Sequence, residues 1–148
     1  MDQKQLLSRI SDAAAKVHGE LGPGLLEPIY RSCMLVELEN RSINYRAGVP
    51  VPIFYQGRRI EGREILIDLL IEDVMVVELS AVERLQDFHR RKIFTNLKLA
   101  SKPLGALINF GERLSVTAFP GFPEHHVWAL PTRSDIVGSE SKQRIPAS

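Results

Sequence analysis

The sequence of 148 residues has the length of a single domain and enough chain to bury a hydrophobic core. Its formal net charge of +1 excludes a global electrostatic attraction to nucleic acid or to an anionic membrane, so any such binding requires a local patch. The single cysteine, Cys33, excludes a disulfide framework, and no uncharged run is long enough to span a bilayer. We therefore expect a cytoplasmic protein that does not bind a membrane.

Two helices are predicted at the start of the chain. Apolar residues recur at helical spacing from Gln5 to Leu21 and again from Leu25 to Asn40. The segment Gly22-Pro23-Gly24 separates them, because glycine and proline end a helix.

The following segments carry the pattern of strands. Val49–Tyr55 contains two prolines, which predict an edge strand. Ile65–Ile71 and Val74–Leu79 are apolar on both faces, which predicts strands covered on both sides. Glu72-Asp73 lies between them as a hairpin turn.

A third helix and two more strands complete the pattern, at Asp87–Ala100, Leu104–Phe110 and Leu114–Phe119, the last as an edge strand. The order of elements predicts one layered α/β domain over residues 1–120 with a mainly mixed sheet. The Pro-, Gly- and Ser-rich residues 121–148 predict a disordered or loosely packed tail.

Two acids, Asp68 and Glu78, interrupt the apolar strands. An ionised carboxylate in a protein interior costs several kcal/mol unless it is paired, hydrogen-bonded or bound to a metal. Either both acids lie at solvated strand ends or cap backbone groups, or they form a site.

The register of the hairpin decides whether the acids meet. A two-residue turn places Asp68 opposite Val77 and directs Glu78 to the other face. A three-residue loop, with one residue such as Asp73 in the left-handed conformation, pairs positions 68 and 78 instead. Both acids then face one side within reach of a single divalent cation, and Ser80 faces the same way.

The segment GPGLLEPIY supplies a third candidate acid. Glu27 and Tyr30 follow Gly24 and share a helix face, being three residues apart. Taken alone, this pattern indicates a surface glutamate and a core tyrosine after a glycine break.

These residues resemble a known family. GPGLLEPIY resembles the signature of the GxxExxY family, and the resemblance continues through VPVPIFYQG, IDLLIEDVMVVEL and NLKLASKPLGALINF, covering about residues 7–112. That family is similar to a compact branch of the PD-(D/E)XK nuclease superfamily, whose members bind magnesium and cut phosphodiester bonds. The resemblance implies a restriction-endonuclease-like fold, with a central mixed β-sheet flanked by helices.

The resemblance also implies roles for individual residues. Asp68 matches the metal-binding aspartate of the second strand, Glu78 the acid of the E-x-K element, and Glu27 the acid of the first helical region. Magnesium takes oxygen ligands and usually one or two protein carboxylates, which makes Asp68 and Glu78 the candidate metal ligands. A nearby lysine normally positions or deprotonates the attacking water.

The sequence departs from the family pattern at two positions. Ser80 stands where the superfamily has lysine, and Lys92 stands where the family typically has glutamine. On a helical wheel His89, Lys92 and Asn96 lie along one edge of the apolar stripe, and that edge could face the acids. Either Lys92 replaces the lost ammonium, or Ser80 marks a site that has decayed and Lys92 is a solvated helix residue.

Three hypotheses for function follow. The first is a magnesium-dependent nuclease with Glu27, Asp68, Glu78 and Lys92 as catalytic residues. The second is an inactive nuclease-fold module that binds nucleic acid or a protein partner, and the third is a structural protein whose acids are satisfied by backbone donors. Arginines of the hairpin and of the third helix could follow a phosphate backbone or only form a solvated surface. A homo-oligomer is also compatible with the sequence.

Overall fold

The structure, a computed structural model, describes residues 1–122 of the chain. The elements of this part of the chain are α1 (Gln3–Leu21), α2 (Glu27–Asn40), β1 (Tyr45–Tyr55), β2 (Arg58–Ile71), β3 (Met75–Ser80), α3 (Asp87–Ala100), β4 (Leu104–Phe110) and β5 (Leu114–Pro120). Apart from its first two residues, the predicted tail at 121–148 lies outside the described residues. None of the helices within 1–122 combines the length and apolar character needed to cross a membrane.

The strands form one sheet in the order β1-β2-β3-β4-β5. β3 and β4 are parallel and the other neighbours are antiparallel, so the predicted mixed sheet flanked by helices is confirmed. α3 is the crossover that a parallel pair requires. β1 and β5 occupy the two edges, and the prolines of β1 are compatible with an edge position.

The β1–β2 hairpin is longer than its sequence pattern indicates. β1 begins at Tyr45 rather than Val49, and β2 begins at Arg58 rather than Ile65. Residues 58–64 are exposed and mostly polar, yet they continue the strand pairing beyond a register shift between Pro52 and Phe54. A ribbon that extends past the core buries no face, so it carries no alternation of apolar residues from which to predict it.

Two hydrophobic cores cover the two faces of the sheet. One lies between the sheet and α1 and α2, and the other lies between the sheet and α3. Side chains alternate along β3, so Met75, Val77 and Leu79 belong to the first core and Val76 to the second. Glu78 and Ser80 therefore face the α3 layer.

The β1–β2 pair rotates at Gly48. Ala47 and Leu69 are partners in the first core, whereas Val49 and Ile67 are partners in the second. Residues two apart in a regular strand face the same side, so the change of core requires a local twist. Gly48 supplies it with φ +63°, a left-handed conformation that glycine adopts without steric cost.

We expect Gly48→Ala to lower the free energy of unfolding by about 1–2 kcal/mol, the usual cost of a Cβ in the left-handed conformation. Because no atom lies within 4 Å of the added Cβ, backbone strain is the cause that the substitution isolates. Gly19→Ala is the matched control, since Gly19 lies in α1 with equally open space and alanine favours a helix by about 1 kcal/mol. Urea unfolding of both variants measures the difference, and equal stability of the two would contradict the explanation.

Candidate active site

The β2–β3 hairpin adopts the register that brings the acids together. Its partners are Leu69–Val77, Leu70–Val76 and Ile71–Met75, which leaves a three-residue loop at 72–74. Glu72 and Asp73 are both left-handed, with φ of +51° and +59°, where the sequence predicted one such residue.

Two distant cations hold this loop. The buried Lys102 ammonium lies 3.1 Å from the Asp73 carboxylate and donates to the Asp73 carbonyl at 3.0 Å. Arg46 of β1 pairs with the same carboxylate at 2.9 Å. These contacts stabilise the strained loop and so fix the register on which the site depends.

Asp68 lies where β2 and β3 separate. The ladder between these strands ends at the Leu69–Val77 pair. Beyond it Asp68 Oδ2 accepts a hydrogen bond from the backbone N–H of Leu79 at 2.9 Å, so the side chain satisfies a donor that a neighbouring strand would otherwise satisfy. The side chain is consequently buried, with only 6% of the residue exposed.

Glu78 is more deeply buried, at 2% exposure. Its Oε1 accepts a hydrogen bond from the Asn96 amide of α3. Its Oε2 lies 3.4 Å from the Lys92 ammonium and, among residues 1–122, has no hydrogen-bond partner when the group is ionised. The Lys92 side chain is 42% exposed, so it reaches the buried acid from the surface.

The two acids interact directly. Burial, first of all, together with the charge of Asp68 and a hydrogen bond between the two carboxyl groups, raises the pKa of Glu78 from 4.5 to about 8. Lys92 and Asn96 oppose this rise. Near neutral pH the pair therefore holds a proton that a bound cation would replace.

Glu27 joins the site through Arg31. The Arg31 guanidinium lies 2.7 Å from Glu27 Oε1 and 3.2 Å from Asp68 Oδ1. Burial opposes its charge, but the hydrogen bond to Glu27 and the charges of the acids raise its pKa. The sequence analysis missed Arg31, although a Glu–Arg spacing of four residues on a helix is a signal that could have found it.

The GPGLLEPIY segment places Glu27 at the first position of α2. Gly24 has φ +97°, and the Tyr30 hydroxyl donates to the Gly22 carbonyl at 2.6 Å while accepting from the Leu25 N–H at 3.1 Å. The Tyr30 ring is fully buried and stacks on Phe110 at 4.7 Å. The hydrogen bonds of Tyr30 thus stabilise the turn before Glu27.

Ser80 faces the α3 layer, but its hydrogen bonds lead away from the acids. Its hydroxyl is 3.1 Å from Asn109 Oδ1 and 3.4 Å from the Ile108 carbonyl. Asn109 also bonds the N–H and the carbonyl of Val82, so Ser80 belongs to a buried amide network that connects β3 to β4. Position 80 therefore places no positively charged side chain beside the acids.

Two of the three residues predicted along the edge of α3 reach the acids. Lys92 and Asn96 both contact Glu78. His89 instead accepts a hydrogen bond from the backbone N–H of Gln86 at 2.9 Å, where it caps the start of α3.

The sequence that builds this site matches the model of a known family. The family model of the PD-(D/E)XK nuclease superfamily matches residues 4–119. The chain belongs to the PD-(D/E)XK nuclease superfamily. Neither the search of curated proteins nor the search of solved structures gives a match.

The donor set of this PD-(D/E)XK domain fits a magnesium ion in type and number. In the part of the chain that the structure describes, no group of three or more His, Cys, Asp or Glu side chains is placed to hold a metal. Magnesium needs only one or two protein carboxylates, and Asp68 with Glu78 supplies that number. The Glu78 oxygen without a hydrogen-bond partner is an atom that a cation would satisfy.

We expect the stability of the metal-free protein to fall as the pH rises from about 4.5 to about 8. In that window folded Glu78 keeps a proton that the unfolded chain has released. The free energy of unfolding therefore falls as the pH rises towards the raised pKa, by at most a few kcal/mol in total, and levels off above it. Denaturant unfolding at several pH values, with a chelator present, measures the slope.

Glu78→Gln is the control for this slope, because it keeps an oxygen for Asn96 and cannot ionise. The difference in stability between the native chain and the variant should change with pH across the window. A difference that stays constant would show that Glu78 does not titrate there.

Proposed function

We propose that the chain is a magnesium-dependent nuclease that hydrolyses phosphodiester bonds in nucleic acid. The observation that carries this proposal is the Lys92 ammonium 3.4 Å from Glu78 Oε2. A positive charge at the acidic pair is what the superfamily's strand lysine supplies, and here α3 supplies it while position 80 holds a serine. The geometry supports the hypothesis that the lysine has moved from strand to helix.

Each residue then has a separate role. Asp68 and Glu78 would hold magnesium, which when bound activates a water and offsets charge on the phosphate. Lys92 would act beside them as base or as electrostatic stabiliser of the developing charge. Glu27 would act through Arg31, which fixes the orientation of Asp68.

Within the superfamily we propose the GxxExxY branch. The support is structural as well as sequential, because each motif residue has a distinct function in the turn. Gly24 permits the positive φ of the turn, and the buried Tyr30 holds the turn through its hydroxyl. Glu27 begins α2 and pairs with Arg31, the arginine that also contacts Asp68.

A second candidate function is an inactive module of the same fold that binds nucleic acid or a protein partner. One observation favours it: Arg31 and Lys92 already provide a counter-charge for each acid. In this alternative the two side chains neutralise the pair permanently, and no cation is required.

The test is calorimetric titration of magnesium and manganese, with cleavage measured on single- and double-stranded DNA and RNA. Asp68→Asn should abolish metal binding. Lys92→Ala should retain metal binding, since it removes no ligand, and should lower the cleavage rate by about 10²–10³-fold, the usual effect of losing one charge-stabilising group. Lys4→Ala is the matched control, because Lys4 is an exposed lysine of α1 on the opposite face of the sheet.

The same samples separate the two candidates. Metal binding without cleavage, combined with cleavage gained in Ser80→Lys, would identify an inactive enzyme. Absence of metal binding in the native chain would overturn the nuclease proposal. Circular dichroism of each variant shows that a loss of function is not a loss of folding.

A further inference from the structure

The outer surface of α3 has a groove beside the acidic pair. The groove has a volume of about 420 Å³ and lies between α3 and residues Ile65 and Leu66 of β2. We call it the α3 groove, and its lining includes Leu66, Phe88, Arg91, Lys92, Thr95 and Asn96. Its volume falls in the range of about 300–1,000 Å³ that is typical of ligand pockets.

The α3 groove shares two lining residues with the candidate active site. Lys92 and Asn96 line the groove, and the same two side chains contact Glu78. A molecule in the groove would therefore lie against the residues that reach the buried carboxylate.

The rim of the groove is apolar and aromatic. Phe88 is 66% exposed and Leu66 is 56% exposed, so both apolar side chains are accessible to a molecule in the groove. Among the ring contacts of residues 1–122, Phe88 makes one, a T-shaped contact with His89 at 5.3 Å between ring centroids, and its exposure leaves ring surface accessible for stacking.

The charge of the groove is positive. Arg91 lines it, Arg90 precedes Arg91 on the same helix, and neither forms an ion pair with another residue of the range 1–122. Unpaired guanidinium groups beside an exposed aromatic ring are complementary to a phosphate followed by a base.

The positive and aromatic character continues across the helix. A second groove of about 660 Å³ is lined by Arg90, Arg91, Phe94, Thr95 and Phe119. It shares Arg91 and Thr95 with the α3 groove, so the two form one path across α3 with a phenylalanine on each side of Arg91. Alternation of aromatic and basic side chains is the pattern by which proteins bind single strands.

We propose that the α3 groove binds single-stranded nucleic acid, with a base stacked on Phe88 and a phosphate on Arg91. The proposal rests on the proposed function and names its substrate as an unpaired strand. An unpaired base along the strand exposes a face to Phe88, whereas the faces of bases inside a duplex are covered by their neighbours. The strand would then pass Lys92 and Asn96 to reach the acidic pair.

The test is the binding of fluorescent oligonucleotides to the full chain, measured by anisotropy with a chelator present so that no cleavage occurs. A single-stranded 12-mer should bind more tightly than the blunt duplex of the same sequence. Phe88→Leu should weaken single-strand binding by about tenfold, because leucine keeps the apolar surface but has no ring to stack. Phe88→Tyr keeps the ring and should restore binding.

The arginine contact has a separate readout. Arg91→Ala should reduce the slope of log K against log salt by about 0.7, the value for one phosphate contact with a single strand. Lys4→Ala, which removes one exposed charge from α1, should leave that slope unchanged.

Equal binding of duplex and single strand, with Phe88→Leu binding as tightly as the native chain, would overturn the proposal. So would a native dimer in sedimentation that Phe88→Leu converts to a monomer, because the groove would then be a contact between copies of the chain. Binding is measured without cleavage. Specific binding of a single strand by a protein that does not hydrolyse it would therefore support the proposed groove and contradict only the proposed nuclease activity.

Discussion

Two buried carboxyl groups at one fork in the sheet are the constraint on which the rest of this structure depends. Asp68 and Glu78 are both almost fully buried, and the charge of Asp68 makes the charge of Glu78 more costly. The fold meets that cost with a backbone N–H from Leu79, a guanidinium from α2, and an amide and an ammonium from α3. Helices on both faces of the sheet therefore contribute to a single polar centre.

The position of the lysine illustrates how one electrostatic requirement can be met from two places in a fold. Ser80 is on the strand that carries Glu78, yet it bonds to Asn109 and holds no charge. Lys92 comes from the next helix, which packs over that strand as the crossover between β3 and β4, and its flexible stem lets a surface residue reach a buried acid. The charge has the same sign in both arrangements, but on the helix it stands at the edge of a groove open to solvent.

This placement connects the candidate chemistry to the candidate substrate. α3 presents Lys92 and Asn96 to the acids and Phe88 and Arg91 to the groove, so one helix bears both sets of residues. A near-neutral protein has no general attraction for nucleic acid, and a local aromatic and basic path is how such a protein would bind an unpaired strand.

The sequence by itself determined the type and order of the elements, the edge position of the prolines in β1, the mixed sheet and the two acids that needed an explanation, but not the full length of the β1–β2 hairpin. These features are local, since periodicity and proline chemistry act within a few residues. It left two registers open, because the choice depends on Lys102 and Arg46 holding Asp73 from distant positions. Tertiary structure alone decided that Arg31 bridges Glu27 to Asp68, that His89 caps its helix rather than facing the acids, and that Lys92 does reach Glu78. The reason is that each of these contacts depends on a side-chain position set by packing between elements, which no local pattern encodes.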